Sequence, residues 1–361
     1  MGEITTSHGN IQTPFFMPIA TKGAVKTLST LDMEELGAQI LLANTYHLLL
    51  RPGLEGMGKL GGLHSFMRWQ KPLLTDSGGY QVFSLAKINQ TKEDGVSFCS
   101  HIDGKKIMLT PEGSMAMQKV IGADIIMQFD DVAAGNSDRD RYAQAMERSL
   151  RWARRCKDSY DTNQQLFGII QGGTYEDLRE QSLSGLIDIG FDGYAIGGLS
   201  VGEPRESAFN IAKTICKKMP ANQPRYFMGG GMPEEILYYV SVGVDMFDCV
   251  IPTRHARHGS VFVWKEEPSL AVARAFTLAA DGAADTMIAD ALYKKIQITN
   301  ESFGFDTTPI DTHSSQNSTV FSKAYLRHLF KTDEMLGFRM ATLQNLDFYL
   351  RMMKELRHIL E

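Results

Sequence analysis

The chain has 361 residues, 43% of them hydrophobic and 22% charged, and a net charge of −5. This is the balance of a soluble globular protein, and any RNA it binds must meet a local basic patch rather than the whole surface. No apolar run reaches the ~18 residues that cross a bilayer, the first residues lack the basic-then-apolar layout of a secretory leader, and Cys99, Cys156, Cys216 and Cys249 form no C-x-x-C pair, so the expectation is a cytoplasmic protein with no membrane contact, no disulfide framework and no cysteine-held metal.

Eight short apolar runs recur along the chain, each bounded by Gly, Pro, Asn or Asp: 13–19, 38–44, 72–76, 124–130, 165–171, 193–198, 225–229 and 245–251. Most are continuous rather than alternating, as strands buried on both faces are. Helical patterns separate them: 31–36, 111–121, 142–160, 175–189, 206–218 and 233–242. Strands alternating with helices predict an α/β fold, an irregular (β/α)8 TIM barrel forming one domain over 1–361. A doubly wound open sheet is the rival, but no G-x-G-x-x-G follows an early strand. The stretch 266–292 is alanine-rich and helical, broken by Asp281-Gly282, and reads as an insertion. A C-terminal subdomain, 300–361, ends in an amphipathic helical tail with seven Lys and Arg against four acids over 321–360, a net charge of +3.

Polar groups collect at the C-terminal ends of the runs: Asn44, Asp76, Asp130 with Asp131, Gln171, Gly197-Gly198 and Asp248. A barrel brings those ends to one mouth, where carboxylates distant in sequence meet. Asp248 stands out, because the chain turns basic after it, with Arg254, His255, Arg257 and His258 following Pro252. A carboxylate beside a positive loop suits a nucleophile facing an anionic substrate, with the basic residues on backbone phosphates. Asp76 pairs with it as general acid/base, the two together suiting glycosidic-bond chemistry. Tyr80 can stack on a flat ring, Asp130 can accept from an amidine-like edge such as that of guanine, and Gln171 can donate to a carbonyl. Gly198 and Leu199 offer backbone donors and acceptors, Glu203 can fix their loop, and Met228 at the seventh strand end joins the substrate-binding set. Each motif alone reads equally well as a tight turn, and Asp131 as a helix cap. A basic stripe, Arg148, Arg151, Arg154 and Arg155, reads first as a solvated helix face.

Taken together, the motifs Leu60-Gly61-Gly62-Leu63-His64, Thr75-Asp76-Ser77-Gly78-Gly79-Tyr80-Gln81, Ser100-His101-Ile102-Asp103-Gly104, Gly168-Ile169-Ile170-Gln171-Gly172-Gly173, Ala195-Ile196-Gly197-Gly198-Leu199-Ser200 and Asp245-Met246-Phe247-Asp248 resemble those of the queuine/archaeosine tRNA-ribosyltransferases, the tRNA-guanine transglycosylases. The resemblance implies a pentosyltransferase acting on tRNA with G at the anticodon wobble position. It replaces that guanine with a 7-deazaguanine, either queuine or 7-aminomethyl-7-deazaguanine. It also implies Asp248 as the nucleophile of a covalent ribosyl–aspartate intermediate and Asp76 as the acid/base for the incoming base. Asp130, Gln171, Gly198 and Leu199 then recognise the base, Tyr80 stacks on it and Glu203 acts as a loop switch. The target nucleotide must leave its stack to enter. A homodimer, or a heterodimer with a catalytic subunit that this chain would serve as a tRNA-binding partner, stays open.

Two departures from the family pattern stand out. Family members usually carry C-x-C-x-x-C and a later His that hold a structural zinc; here His313, Ser315, Ser318 and Gln344 occupy those places. A hydroxyl does not replace a thiolate, so no zinc and no other cofactor is expected. Val132 matches queuine-using members and Val201 matches those taking 7-aminomethyl-7-deazaguanine, which leaves the choice of base open.

Overall fold

The computed structural model describes residues 1–80, 89–314 and 317–361; the segments 81–88 and 315–316, including Gln81 and Ser315, and the side chains of Asn89 and Asn317 lie outside the described residues. In chain order the strands are β1 (Glu3–Thr6), β2 (Gly9–Gln12), β3 (Phe15–Met17), β4 (Leu41–Ala43), β5 (Leu73–Thr75), β6 (Asn89–Thr91), β7 (Val96–Cys99), β8 (Lys106–Leu109), β9 (Ile125–Met127), β10 (Gln165–Ile170), β11 (Gly193–Ile196), β12 (Arg225–Phe227), β13 (Met246–Asp248), β14 (Ser260–Trp264) and β15 (Tyr293–Gln297).

Eight of these, all parallel, form one sheet in the order β3-β13-β12-β11-β10-β9-β5-β4. A further parallel bridge, Ile19 to Leu42, joins the first of them to the last and closes the ring. These are the eight apolar runs of the sequence, shortened at their ends where polar residues leave the ladder. Side chains alternate across the sheet, as the two-residue period of a strand requires. On β10, Phe167 and Ile169 fill the barrel with Phe15, Met17, Leu42, Leu74, Tyr226 and Met246. Leu166 and Ile170 face outward into the layer between sheet and helices.

The helices on the outer face keep close to the sequence pattern: Thr30–Glu35, Pro111–Ile121, Arg139–Asp158, Glu176–Ile189, Arg205–Cys216 and Pro233–Ser241. Three short helices between β4 and β5, Thr45–Leu50, Gly53–Lys59 and Gly62–Met67, carry too few residues for a clear period and were not legible. Nor were three antiparallel additions. The β1–β2 hairpin lies across the barrel floor and inserts Ile4 and Ile11 into the interior cluster. β6, β7 and β8 form a small sheet before Pro111–Ile121. β14 and β15 pair around the alanine-rich stretch.

One expectation changes in detail, and another is met. The segment after Asp248 is a helix, Ile251–Arg257, rather than a basic loop, with Pro252 in its first turn. Proline is tolerated there because a first-turn N–H has no intrahelical partner to lose. The alanine-rich stretch folds as two helices, Pro268–Ala280 and Asp285–Leu292. Ala271, Ala275 and Ala279 are buried along one face of the first, and their small side chains allow close packing on Pro233–Ser241 and on the long helix Met335–Leu360.

That long helix is tied to β14 and to the helix Ile251–Arg257 through Asn345, which is fully buried. Its Oδ1 accepts from Phe262 N–H at 2.9 Å, and its Nδ2 donates to the carbonyls of Pro252 and Ser260, both at 3.0 Å. The Asn345→Ala substitution removes all three hydrogen bonds. A loss on the order of 2–4 kcal/mol in urea unfolding is expected, since each buried unsatisfied group costs about 1–3 kcal/mol.

Candidate active site

The strand C-termini converge as the sequence suggests, and three buried carboxylates meet at the mouth. Asp248 is the last residue of β13. Because Met246 points into the barrel, Asp248, two residues on, points inward as well. Its Oδ1 accepts from the Tyr226 hydroxyl at 2.5 Å and from Gly229 N–H at 2.8 Å. Among the described residues no donor reaches Oδ2, which is left for a ligand. Burial raises the Asp248 pKa, and the bonds from Tyr226 and Gly229 work against that rise.

Asp76 follows β5. Its Oδ1 accepts from Thr45 N–H at 2.9 Å and Gly78 N–H at 3.2 Å, and its Oδ2 accepts from Asn44 Nδ2. Burial pushes its pKa up to about 6, with the Asn44 bond opposing and the charge of Asp248 adding to the rise. The two acids therefore sense each other across the mouth, although 172 positions in sequence separate residues 76 and 248.

Asp130, beyond β9, accepts from Ser77 Oγ at 3.1 Å and Gln171 Nε2 at 2.7 Å, and burial raises its pKa to about 6. Gln171 in turn lies against Gly198, whose φ is +61°. A Cβ there would overlap the Gln171 amide oxygen, so position 198 requires glycine for space as well as for backbone angle. Leu199 is buried, Met228 half-buried, and Tyr80 is 46% exposed at the start of a helical turn with its ring open to solvent. Glu203 accepts from the backbone N–H groups of Ser200 and Val201, bracing the left-handed residue Ser200 at φ +60°.

Four supporting residues were given no role by the sequence. Asn44 was visible as a polar residue at a strand end, but nothing indicated which carboxylate it serves. Tyr226 sits inside an apolar run, and Ser77 inside a turn motif. Arg179 lay within a helical pattern where a solvated face is the default. It is fully buried, donating to the carbonyls of Gly173 and Ile170, both at 2.7 Å, and of Gly197 at 2.6 Å. It thus holds the turns after β10 and β11 together, behind Gln171 and Gly198.

The basic groups divide. Arg254 and His258 are exposed on or just after the helix that follows Asp248, whereas His255 and Arg257 are half-buried, His255 stacking on Phe262. In the outer stripe, Arg151 pairs with Glu93 and Arg155 with Glu112, while Arg154 is exposed. Asp131 is not a helix cap, since Asp138 caps Arg139–Asp158. Instead Asp131 is ion-paired with Arg141 at 2.6 Å and Arg148 at 2.5 Å.

In the tail, Gln344 Nε2 donates to the Phe262 carbonyl and to Asp311 Oδ2, both at 2.9 Å. Asp311 Oδ2 also accepts from Trp264 N–H at 3.0 Å, and the Asp311 N–H donates to the Ser318 carbonyl at 3.2 Å. His313 faces Glu267 at 3.6 Å. Ser315 lies outside the described residues.

The acid pair predicts a titration result. Removing a donor from a carboxylate destabilises its anion and raises its pKa. Asn44→Ala should move Asp76 above about 6, and Tyr226→Phe should raise Asp248 further, both read by carboxyl-carbon NMR. An unchanged or lower Asp76 pKa in Asn44→Ala would contradict the role given to that amide.

The model of one protein family, queuine tRNA-ribosyltransferase, matches residues 1–361. Three curated relatives carry the same description. That of Psychrobacter sp. (strain PRwf-1) is 47% identical over 368 residues, spanning 100% of this chain and 89% of the relative. That of Halothermothrix orenii is 46% identical over 359 residues, spanning 99% of this chain and 89% of the relative. That of Dechloromonas aromatica is 46% identical over 364 residues, spanning 100% of this chain and 91% of the relative.

Proposed function

The chain belongs to the queuine tRNA-ribosyltransferase family, and from that premise we propose how its barrel mouth performs the family's reaction. It is a tRNA-guanine transglycosylase, a pentosyltransferase that acts on tRNA in queuosine modification and uses a 7-deazaguanine base. The observation carrying the residue assignments is the pair Asp248 and Asp76. The first presents Oδ2 to the mouth, and the second is a base-strength carboxylate within electrostatic reach.

The wobble guanosine leaves its stack and places its base between the Tyr80 ring and the buried pocket. Asp130 accepts from guanine N1–H and the 2-amino group. Gln171 swings its amide from Asp130 to guanine O6, and the backbone around Gly198 and Leu199 completes the edge. Asp248 Oδ2 attacks the ribose C1′. The C1′–N9 bond breaks, its electron pair leaves on N9, and the charge spreads toward O6 under the Gln171 donor. Tyr226 and Gly229 hold Oδ1, so the attacking oxygen is fixed without being covered. Guanine departs with the proton of protonated Asp76 transferred to its N9, leaving a covalent ribosyl–Asp248 ester and an Asp76 carboxylate. The incoming 7-deazaguanine then gives its N9 proton to Asp76, its N9 attacks C1′, and the C1′–Oδ2 bond breaks. The net reaction moves one proton from N9 of the incoming base to N9 of guanine. Arg254 and His258, exposed beside the nucleophile, meet the backbone phosphates.

With unmodified tRNA carrying G at the wobble position and labelled guanine, Asp248→Asn should lose exchange by at least about 10³-fold, because no second nucleophile replaces it. Asp76→Asn should still form the ribosyl ester but turn over poorly. Full exchange in Asp248→Asn would overturn the assignment. tRNA binding without any exchange in the unaltered protein would instead support a non-catalytic binding subunit, a reading that the intact acid pair disfavours.

We infer further that the tail is held without the family's zinc. Gln344 Nε2 donates to two acceptors, and the amide oxygen that remains is a poor substitute for an imidazole nitrogen as a zinc ligand. The Asp311–Gln344 network supplies the cross-link instead. His313→Ala should therefore leave the zinc content of the purified protein unchanged, while Gln344→Ala should lower its thermal midpoint with or without added zinc. Loss of one zinc equivalent in His313→Ala would refute this.

A further inference from the structure

One motif that carries the family resemblance, Leu60-Gly61-Gly62-Leu63-His64, has no place at the mouth. It lies before β5, at the opposite end of the barrel. Gly61 and Gly62 both take positive φ, +74° and +81°, and a Cβ on Gly62 would press on the Ile121 carbonyl at 3.1 Å. This tight approach seats the helix Gly62–Met67 against the floor and directs His64 at Asp124, the residue that precedes β9.

A second histidine arrives there from a distant part of the chain. His8, in the turn between β1 and β2, places Nδ1 2.8 Å from Asp124 Oδ1. His64 Nε2 is 3.4 Å from Asp124 Oδ2 and 3.1 Å from the Lys71 carbonyl. The two imidazoles stack with centroids 3.6 Å apart at 12°. Asp124 is rigid: its Oδ2 accepts from Leu73 N–H at 2.9 Å, and its side chain is only 1% exposed. One ligand atom from each of the three residues lies within 4.8 Å of the others.

We propose that His8, His64 and Asp124 form a divalent-cation site on the barrel floor, suited to zinc, that pins the N-terminal hairpin to the barrel. Two neutral imidazoles and one carboxylate are a normal zinc donor set. Zinc bonds of about 2.0–2.1 Å lie in the plane of each imidazole; because the 2.8 and 3.4 Å contacts run to different oxygens of Asp124 and the rings lie parallel, binding turns the rings out of their stack until both lone pairs meet one ion. On binding, the ligating nitrogens present lone pairs to the ion, and His64 Nε2 exchanges its contact with the Lys71 carbonyl for the metal. His8 is 35% exposed, which leaves an entry path and a fourth position for water. No sequence spacing shows this group, because residues 8, 64 and 124 meet only once the floor is assembled. The site is separate from the tail, and its role is structural.

The test uses the full chain, stripped with a chelator and titrated with zinc chloride by calorimetry. One equivalent should bind. His8→Ala, which alters only a hairpin turn, and Asp124→Asn, which keeps an oxygen to accept from Leu73 N–H, should each weaken binding at least about tenfold, while His313→Ala should not. Zinc should raise the thermal midpoint of the unaltered protein and not that of His8→Ala. Absence of binding overturns the proposal, as does equal affinity in His8→Ala and Asp124→Asn.

Discussion

The mouth of this barrel depends on donors that make buried carboxylates tolerable. A carboxylate removed from water must be hydrogen-bonded or it takes up a proton. Here at least one donor to each acid comes from a neighbouring strand rather than from the acid's own segment. Asn44 and Thr45 after β4 hold Asp76 after β5, Tyr226 on β12 holds Asp248 on β13, and Gln171 after β10 holds Asp130 after β9. Each acid is therefore held from an adjacent strand of the ring. The parallel register of the sheet is thus part of the chemistry, because a slip of one residue would turn each donor to the other face.

The donors leave two of the acids near the midpoint of their titration close to pH 6, a poise suited to taking a proton and giving it back. Asp248 differs. Its two donors share one oxygen, so among the described residues the other is left without a donor yet fixed in direction. Behind these residues Arg179 collects the carbonyls of two consecutive turns. It sets the backbone around Gln171 and Gly198 without facing the mouth.

Much of this was legible in the sequence. The eight barrel strands announced themselves as continuous apolar runs, and their polar ends marked the mouth where Asp76, Asp130, Gln171 and Asp248 converge. What was not legible has a common cause. Asn44, Tyr226 and Arg179 derive their roles from partners across the ring, and a linear pattern carries no sign of which strand end faces which. The floor group fails for the same reason. The β1–β2 hairpin was missed because its short strands, such as Gly9–Gln12, have no apolar run to betray them. The stripe of arginines shows the converse: a feature plain in sequence is largely occupied by Asp131, Glu93 and Glu112.

The closure of the ring also sets the order in which the chain can fold. β3 finds one neighbour early, through the bridge between Ile19 and Leu42, but its other partner is β13, made more than two hundred residues later. The first segment is completed later still, when Arg339 reaches Asp32 and Arg357 reaches the Pro14 carbonyl. During synthesis β3 therefore waits with one edge unpaired until residue 248 of 361 has emerged. Such long-range pairing slows folding and leaves an open edge that can meet other chains. A nascent chain stalled before the last helix would hold every residue of the acid pair and still lack the contacts that finish its first strand.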